Sequence, residues 1–289
     1  MFTVSDFSDT NPFANLAMEE WLTRARADGV RRLLLYRNTA AVVIGRNQNP
    51  WCECDPGALR ERGVPFVRRM SGGGTVYHDP GNVNYAFILP REDYCPEKYV
   101  GIICQALRAA GVPAEQNARH DIMLAGKKIS GTAYMLSSRT ALHHGTLLVD
   151  ADLDRLRHAL RRPGYVEIET RAIPSVRAAV ANIRDQAPDF SVADFKQALM
   201  DILGDDAQDR PMNTCPDELP EAVRALMRDR LTPEWIFGRT PPFTATVKPT
   251  GKPAWRFSAK KGVVTAVDIS GRAWLRPDTP VSELVDIFF

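Results

Sequence analysis

The sequence predicts an α+β fold, a mixed β-sheet flanked by helices with a short C-terminal accessory segment, and three observations carry that reading. Apolar runs with strand character gather in the first half, with helical patterns interspersed. From Ala151 to about Arg230 the pattern turns mostly helical, broken by a Pro163-Gly164 turn and by irregular Pro-containing stretches. Beyond that, short β runs such as Val263–Val267 return.

The elements follow in order. Asn11-Pro12-Phe13-Ala14-Asn15 opens a helix with Phe13, Leu16, Ala17, Trp21 and Leu22 at helical spacing, closed by Gly29. Residues 32–36 and 40–44 are apolar runs about a polar Arg37-Asn38-Thr39 turn, which predicts a buried hairpin. Residues 65–69 and 84–89 read as strands, and 96–110 as a helix ended by Gly111. Residues 121–124, a tight Ala125-Gly126 turn and 127–135 predict a second hairpin. His143 to Val149 makes a further strand. No internal repeat, low-complexity tract or coiled coil is visible.

Composition narrows the functional classes. A chain of 289 residues holds one large domain with an appendage, or two ordinary domains. A formal net charge of +2, with both signs mixed along the chain, argues against a broad nucleic-acid surface but leaves room for a local cationic pocket. No apolar run approaches the roughly 18–20 residues of a membrane span. The N-terminus has neither a secretory nor a transit pattern. The five cysteines form no framework, and Cys52-x-Cys54 is too tight for a zinc pair, so free thiols in a reducing compartment are expected. The five histidines lack metal-ligand spacing, and no metal site is predicted.

Three constellations invite chemistry. The first runs from Arg68 through Ser71-Gly72-Gly73-Gly74-Thr75-Val76-Tyr77 to Asp79. Consecutive glycines let a backbone lie against a ligand, and their amides beside two arginines suit a phosphate or carboxylate. A lone triple glycine is more often a flexible surface loop, but strand sequence flanks this one on both sides. It is neither a Walker A loop nor a dinucleotide fingerprint.

The second constellation is Gly126 to Ala133. On a strand, Lys128, Ser130 and Thr132 share one face and Lys127 and Ile129 the other. An inward Lys128 requires an anion in the same space; an exposed hairpin lysine and a Ser–Lys dyad are the other readings. The third is His143-His144-Gly145-Thr146, where adjacent histidines face opposite sides and at most one lines a pocket. No cysteine lies beside any of these motifs, and Cys104 is expected to be buried on its helix.

Taken together, these motifs resemble the lipoate–protein ligase A and lipoyltransferase family. The matching pieces, in family order, are Asn15–Glu20, Val42–Trp51, Arg68–Asn82, Lys128–Ala133 and His144–Leu148, with a looser match over Ser175–Asn182 and a junction-like segment, Glu234–Pro241. The resemblance implies a biotin/lipoate ligase-like catalytic domain over 1–241 and a small or truncated accessory domain over 242–289.

It implies that Arg69, Gly72, Gly73, Gly74, Thr75, Val76, Tyr77, Asn82, Asp121 and Lys128 bind ATP and the adenylate. Arg46, Ser71, Gly73, Lys128, Gly131, Ala133, His144 and Gly145 would line the lipoyl site, and Lys128 would be the catalytic residue, an ammonium between acyl carbonyl and α-phosphate. The implied reaction joins lipoate and ATP to lipoyl-AMP, with Mg²⁺ screening the phosphates, and then transfers the lipoyl group to an acceptor lysine. The implied acceptors are lipoyl domains of 2-oxo-acid dehydrogenase E2 subunits and the glycine-cleavage H protein, with no nucleic-acid or membrane partner. The expected compartment is the bacterial cytoplasm, or the mitochondrial matrix if the protein is eukaryotic.

Three departures matter. His120 stands where the family commonly has Asn, and Ala179 stands where many ligases have a second arginine. The tail is short and ends in an apolar Val285–Phe289, as a reduced domain or a truncated sequence would. The alternative activity is therefore lipoyl transfer from lipoyl-AMP or from a lipoylated donor protein without ATP activation. An octanoyltransferase would need a nucleophilic cysteine, and a pocket that binds without chemistry is the reading from another class.

Overall fold

Asn11 starts the first helix through its side chain, which accepts hydrogen bonds from Phe13 N and Ala14 N at 2.9 and 3.2 Å. Pro12 occupies the first turn, and the helix runs Pro12–Arg24. The computed structural model describes residues 1–25, 29–248, 251, 254–268 and 275–286. The last three residues of the apolar C-terminal run lie outside the described residues.

The chain forms two units, each assembled from separate stretches. Unit 1 comprises Met1–Thr39, His78–Leu153 and Arg177–Met227; unit 2 comprises Ala40–Tyr77, Asp154–Val176 and Arg228–Phe289.

Unit 1 is a six-stranded mixed sheet with helices. Its strands lie in the order Thr132–Leu136, Thr140–Leu148, Asn82–Pro90, Arg31–Tyr36, Phe2–Asp6 and Gln208–Asp209. Phe2–Asp6 and Arg31–Tyr36 are parallel because the Pro12–Arg24 helix carries the chain back between them. All nine residues of Asn82–Pro90 are buried, as expected of a strand covered on both faces. Val83, Tyr85, Phe87 and Leu89 join a core with Tyr99, Ile103 and Leu107 of helix Pro96–Ala109 and Phe195 and Leu199 of helix Val192–Leu203. A small sheet of Glu115–Gln116, Ile122–Leu124 and Lys127–Ser130 completes the unit.

Unit 2 holds two sheets. Ala41–Ile44 runs parallel to Phe66–Arg68 and also neighbours Val76–His78. Val166–Thr170, Phe243–Val247, Trp255–Lys260 and Val263–Asp268 form an antiparallel sheet, and Trp51, Trp255 and Phe257 lie in the core beneath it.

Three expectations need correction. Residues 32–36 and 40–44 are not a hairpin: the two strands belong to different sheets. The linker between them is held by Asn15 instead of closing a hairpin turn: its amide donates to Arg37 O and Asn38 Oδ1, each at 3.0 Å. Val166–Thr170 is a strand inside a stretch that reads as helical, because strands far along the chain supply its pairing partner. The run 127–135 is two strands in two sheets, divided at Gly131.

Candidate active site

In unit 1 the Ala125-Gly126 turn, with both φ values positive (48° and 75°), reverses the chain into Lys127–Ser130. Ile122 pairs with Ser130 and Met123 with Lys128, which leaves Ile129 as an extra residue in a bulge. The bulge breaks the expected alternation: Ile129 and Ser130 are both buried, Lys127 is exposed and Lys128 lies between. On its other side the Lys128 backbone is clamped, donating to Ala179 O at 2.9 Å and accepting from Ala181 N at 3.2 Å. Position 179 thus holds the lysine strand through its main chain, a contact that does not depend on an arginine side chain.

The Lys128 Nζ meets Asp121 Oδ1 at 2.7 Å, which is the anion an inward lysine requires. An ammonium carries three donors, so one carboxylate oxygen leaves capacity for a second anion. Gly131 provides the space, since a Cβ there would lie 3.0 Å from both Cε and Nζ of Lys128. Asp121 is fixed by Asn117, whose Oδ1 accepts from Asp121 N at 3.0 Å. Between them His120 takes φ +61°, a left-handed conformation that asparagine tolerates better than histidine.

His144 and His143 face opposite sides, as their adjacency on a strand dictates. His144 Nδ1 lies 3.0 and 3.1 Å from the two carboxylate oxygens of Glu19, and the Tyr36 hydroxyl donates to Glu19 Oε2 at 3.0 Å. His143 is 1% exposed and hydrogen-bonds the Tyr94 hydroxyl at 3.1 Å. Burial pushes its pKa down to about 4, with His144 and His120 adding to the effect. Gly145 has no room for a side chain: a Cβ would fall 2.4 Å from Tyr85 Oη and 2.8 Å from Gly131 O. Ala133 pairs with His144. Asn82 is fully buried, and its Oδ1 has no hydrogen-bond partner among the described residues.

Unit 2 contains the glycine loop. Arg69 is buried and points into it: Nε donates to Ser71 Oγ at 3.0 Å, and the terminal nitrogens donate to Val43 O, Gly72 O and Gly74 O at 3.1, 2.6 and 2.7 Å. A planar trans peptide directs its N–H opposite to its C=O. The carbonyls drawn to Arg69 therefore turn the Gly73 and Thr75 amides away from the guanidinium, which is the arrangement an anion nest needs. Gly73 takes φ +81°. Gly45 packs so tightly on this loop that a Cβ would lie 2.2 Å from Gly73 O. Arg46 is exposed, and its N–H donates to Ser71 O at 2.8 Å. Val76 and Tyr77 begin the strand Val76–His78, and the Tyr77 ring is buried with Val42, Cys54 and Leu59.

Gln48 ties the loop to the segment before Arg177. It accepts from Gly45 N and Thr75 Oγ1 at 3.0 and 2.8 Å and donates to Ile173 O and Ser175 Oγ at 3.2 and 3.0 Å. The Ser175 hydroxyl accepts from Thr75 N at 2.8 Å, filling one amide of the nest. Glu53 accepts from Ser175 N at 3.1 Å. Arg68, 1% exposed, donates to the carbonyls of Ile236, Gly45, Arg46 and Gln48, and burial, with Arg239 nearby, lowers its pKa to about 10. Trp235 donates to Arg68 O at 2.6 Å, and the guanidinium carbons of Arg230 and Arg239 lie 3.5 and 4.5 Å from its ring centre.

The predicted residues thus fall into two sets. Lys128, Asp121, Gly131, Ala133, His144, Gly145 and Asn82 belong to unit 1, and Arg46, Arg69 and Ser71–Tyr77 to unit 2. Sequence reasoning missed Glu19, Tyr36, Gln48 and Ser175. A carboxylate on the apolar stripe of the Pro12–Arg24 helix was the available signal for Glu19; the others carry none, because apart from Gly45, which bonds Gln48, their partners are distant in the chain.

The model of the lipoyl protein ligase A/B catalytic domain matches residues 11–204. A lipoate–protein ligase A of Psychrobacter cryohalolentis is 37% identical over 244 residues, which span 81% of this chain and 72% of that protein. A lipoate–protein ligase A solved with ATP superposes with a TM-score of 0.64 at 25% identity, covering 82% of this chain and 98% of that one. A bi-partite lipoate protein ligase of Thermoplasma acidophilum, analysed with its E2 lipoyl domain, superposes with a TM-score of 0.65 at 25% identity, covering 82% and 96%. The chain therefore belongs to the lipoyl protein ligase A/B catalytic family and is an enzyme of the lipoate–protein ligase type.

Proposed function

We propose that this enzyme activates lipoate with ATP to lipoyl-AMP, releasing pyrophosphate, and transfers the lipoyl group to a lysine of a lipoyl domain, releasing AMP. The observation that carries the reading is Lys128, an ammonium held at 2.7 Å from one carboxylate and given space by Gly131. Lipoate carboxylate and α-phosphate repel each other, and a fixed cation offsets both that repulsion and the charge that develops on transfer. Asp121 orients the ammonium; in the second step the neutral acceptor amine attacks the acyl carbonyl and the adenylate leaves.

In this reading the amides of Gly72–Tyr77 receive phosphate oxygen, and Arg69 serves by holding the loop's carbonyls. Ser175 would yield the Thr75 amide when a phosphate arrives. Asn82 offers a buried acceptor to the adenylate. Arg46, Ser71, Gly73, Gly131, Ala133, His144 and Gly145 contribute to lipoyl binding, with Glu19 fixing the His144 ring. Among the described residues no group of three or more His, Cys, Asp or Glu could cage a metal. Mg²⁺ would come as the counter-ion of the ATP phosphates. E2 lipoyl domains are the proposed acceptors, with the glycine-cleavage H protein as a second.

The test is lipoate-dependent ATP–pyrophosphate exchange in Mg²⁺, run beside transfer from synthetic lipoyl-AMP to an apo lipoyl domain. Both activities are expected. Transfer without exchange would replace the ligase by a lipoyltransferase fed by another enzyme, and silence in both would leave a binding protein.

A further inference from the structure

The strand Thr132–Leu136 lies at the edge of the six-stranded sheet and, among the described residues, pairs only with Thr140–Leu148. Two bonds fix which of its peptide groups are used. Thr146 N donates to Gly131 O, and Ser137 N donates to Thr140 O. In an antiparallel ladder alternate residues face the partner strand. Gly131, Ala133, Met135 and Ser137 therefore face inward, while the N–H and C=O of Thr132, Tyr134 and Leu136 point out of the sheet.

Natural edges are protected by lysine, proline, a bulge or a covering element. This one reads Thr-Ala-Tyr-Met-Leu, has no register shift, and leaves Tyr134 57% and Leu136 40% exposed. They are two of the six large hydrophobics exposed among the described residues. An open edge with apolar side chains beside it is a template for one kind of occupant, another extended strand.

The edge continues directly from Lys128–Gly131, the segment carrying the ammonium assigned to acyl transfer. At its far end Arg91 N bonds Arg139 O, placing two exposed arginines at the hairpin tip. A protein substrate must bring its lysine to Lys128, so a docking strip leading to that residue suits the acceptor better than an unrelated partner. We propose that the acceptor domain docks by adding an extended, acidic-flanked segment to the edge Thr132–Leu136, which delivers the target lysine toward Lys128. This inference rests on the ligase reading above.

Tyr134→Pro deletes an N–H that faces outward, so the ladder to Thr140–Leu148 survives. The double variant Tyr134→Glu/Leu136→Glu places charge on the edge that repels an acidic-flanked segment, without touching the backbone. For each, three rates are measured: lipoate-dependent pyrophosphate exchange, transfer from lipoyl-AMP to Nα-acetyl-lysine, and transfer to an apo E2 lipoyl domain. The first two should stay within about twofold of wild type, while the KM for the domain should rise at least about tenfold. An unchanged KM in both variants overturns the proposal. So does wild-type self-association that Tyr134→Pro abolishes, which would give the edge to a second copy. Absence of exchange and transfer in the wild type itself would instead overturn the ligase reading.

Discussion

Lys128 and Arg69 were singled out for neighbouring tasks, yet they sit in opposite surroundings. Arg69 is 6% exposed, and a serine hydroxyl and three main-chain carbonyls take up its donors. Lys128 is partly exposed, touches one carboxylate and lies over a glycine. A planar fork with five donors can be satisfied wholly by backbone, and then it shapes a loop; a point charge on a flexible stem keeps donors for a ligand. The difference separates a cation whose donors shape a loop from one that keeps donors available, and motif position alone does not make that distinction.

Lys128→Ala gives the largest expected effect, a loss of acyl transfer of about 10³-fold or more, with a urea midpoint close to wild type. Near-normal transfer in that variant would remove the contrast, because Lys128 would then be architectural as well. Arg69→Met is expected to act in reverse, costing roughly 2–4 kcal/mol in chemical denaturation by leaving buried carbonyls without donors. Weakened ATP binding with unchanged stability would show instead that Arg69 faces the ligand.

The histidine pair sharpens the same distinction through pH. His143 is buried with a pKa lowered to about 4, so below its ordinary value the unfolded chain binds a proton that the folded chain refuses. Its contribution is present near neutrality and is lost as pH falls from about 6.5 to about 4, an effect on the order of 2–3 kcal/mol. Comparing urea midpoints at pH 7 and pH 4.5 tests this: His143→Gln should flatten the slope, and an unaltered slope would mean other groups set it. The smallest effect concerns His120, whose φ of +61° is strained. His120→Asn should raise stability by about 0.5–1 kcal/mol in a thermal melt, with transfer activity retained.

Much of the fold was legible because local signals set it. Asn11-Pro12 announced the first helix, and Ala125-Gly126 announced the turn that carries Lys128. The two strands around Asn38 were misread as a hairpin because apolar runs separated by a short polar link look the same whether they pair or part. What parts them is the side chain of Asn15, far back in the chain, gripping the link. Strand Val166–Thr170 was invisible for a related reason: an alternating segment becomes a strand only when a distant edge accepts it. Glu19 stood out locally as a carboxylate on an apolar stripe, but its partner, and the Thr75 partner of Gln48 and Ser175, lie on distant elements that no local window contains.

By itself, the sequence determined the class of fold and the family and singled out the charged candidates Arg69 and Lys128, because periodicity, caps and ordered motifs are local properties. The tertiary structure decided which charges remain available. It drew the glycine-loop carbonyls onto Arg69, broke the alternation at Ile129 so that Lys128 meets Asp121, and gave Thr132–Leu136 a paired strand on one side only among the described residues. Each of these depends on which donors are satisfied by groups far away in the chain, and that balance exists only once the chain is folded.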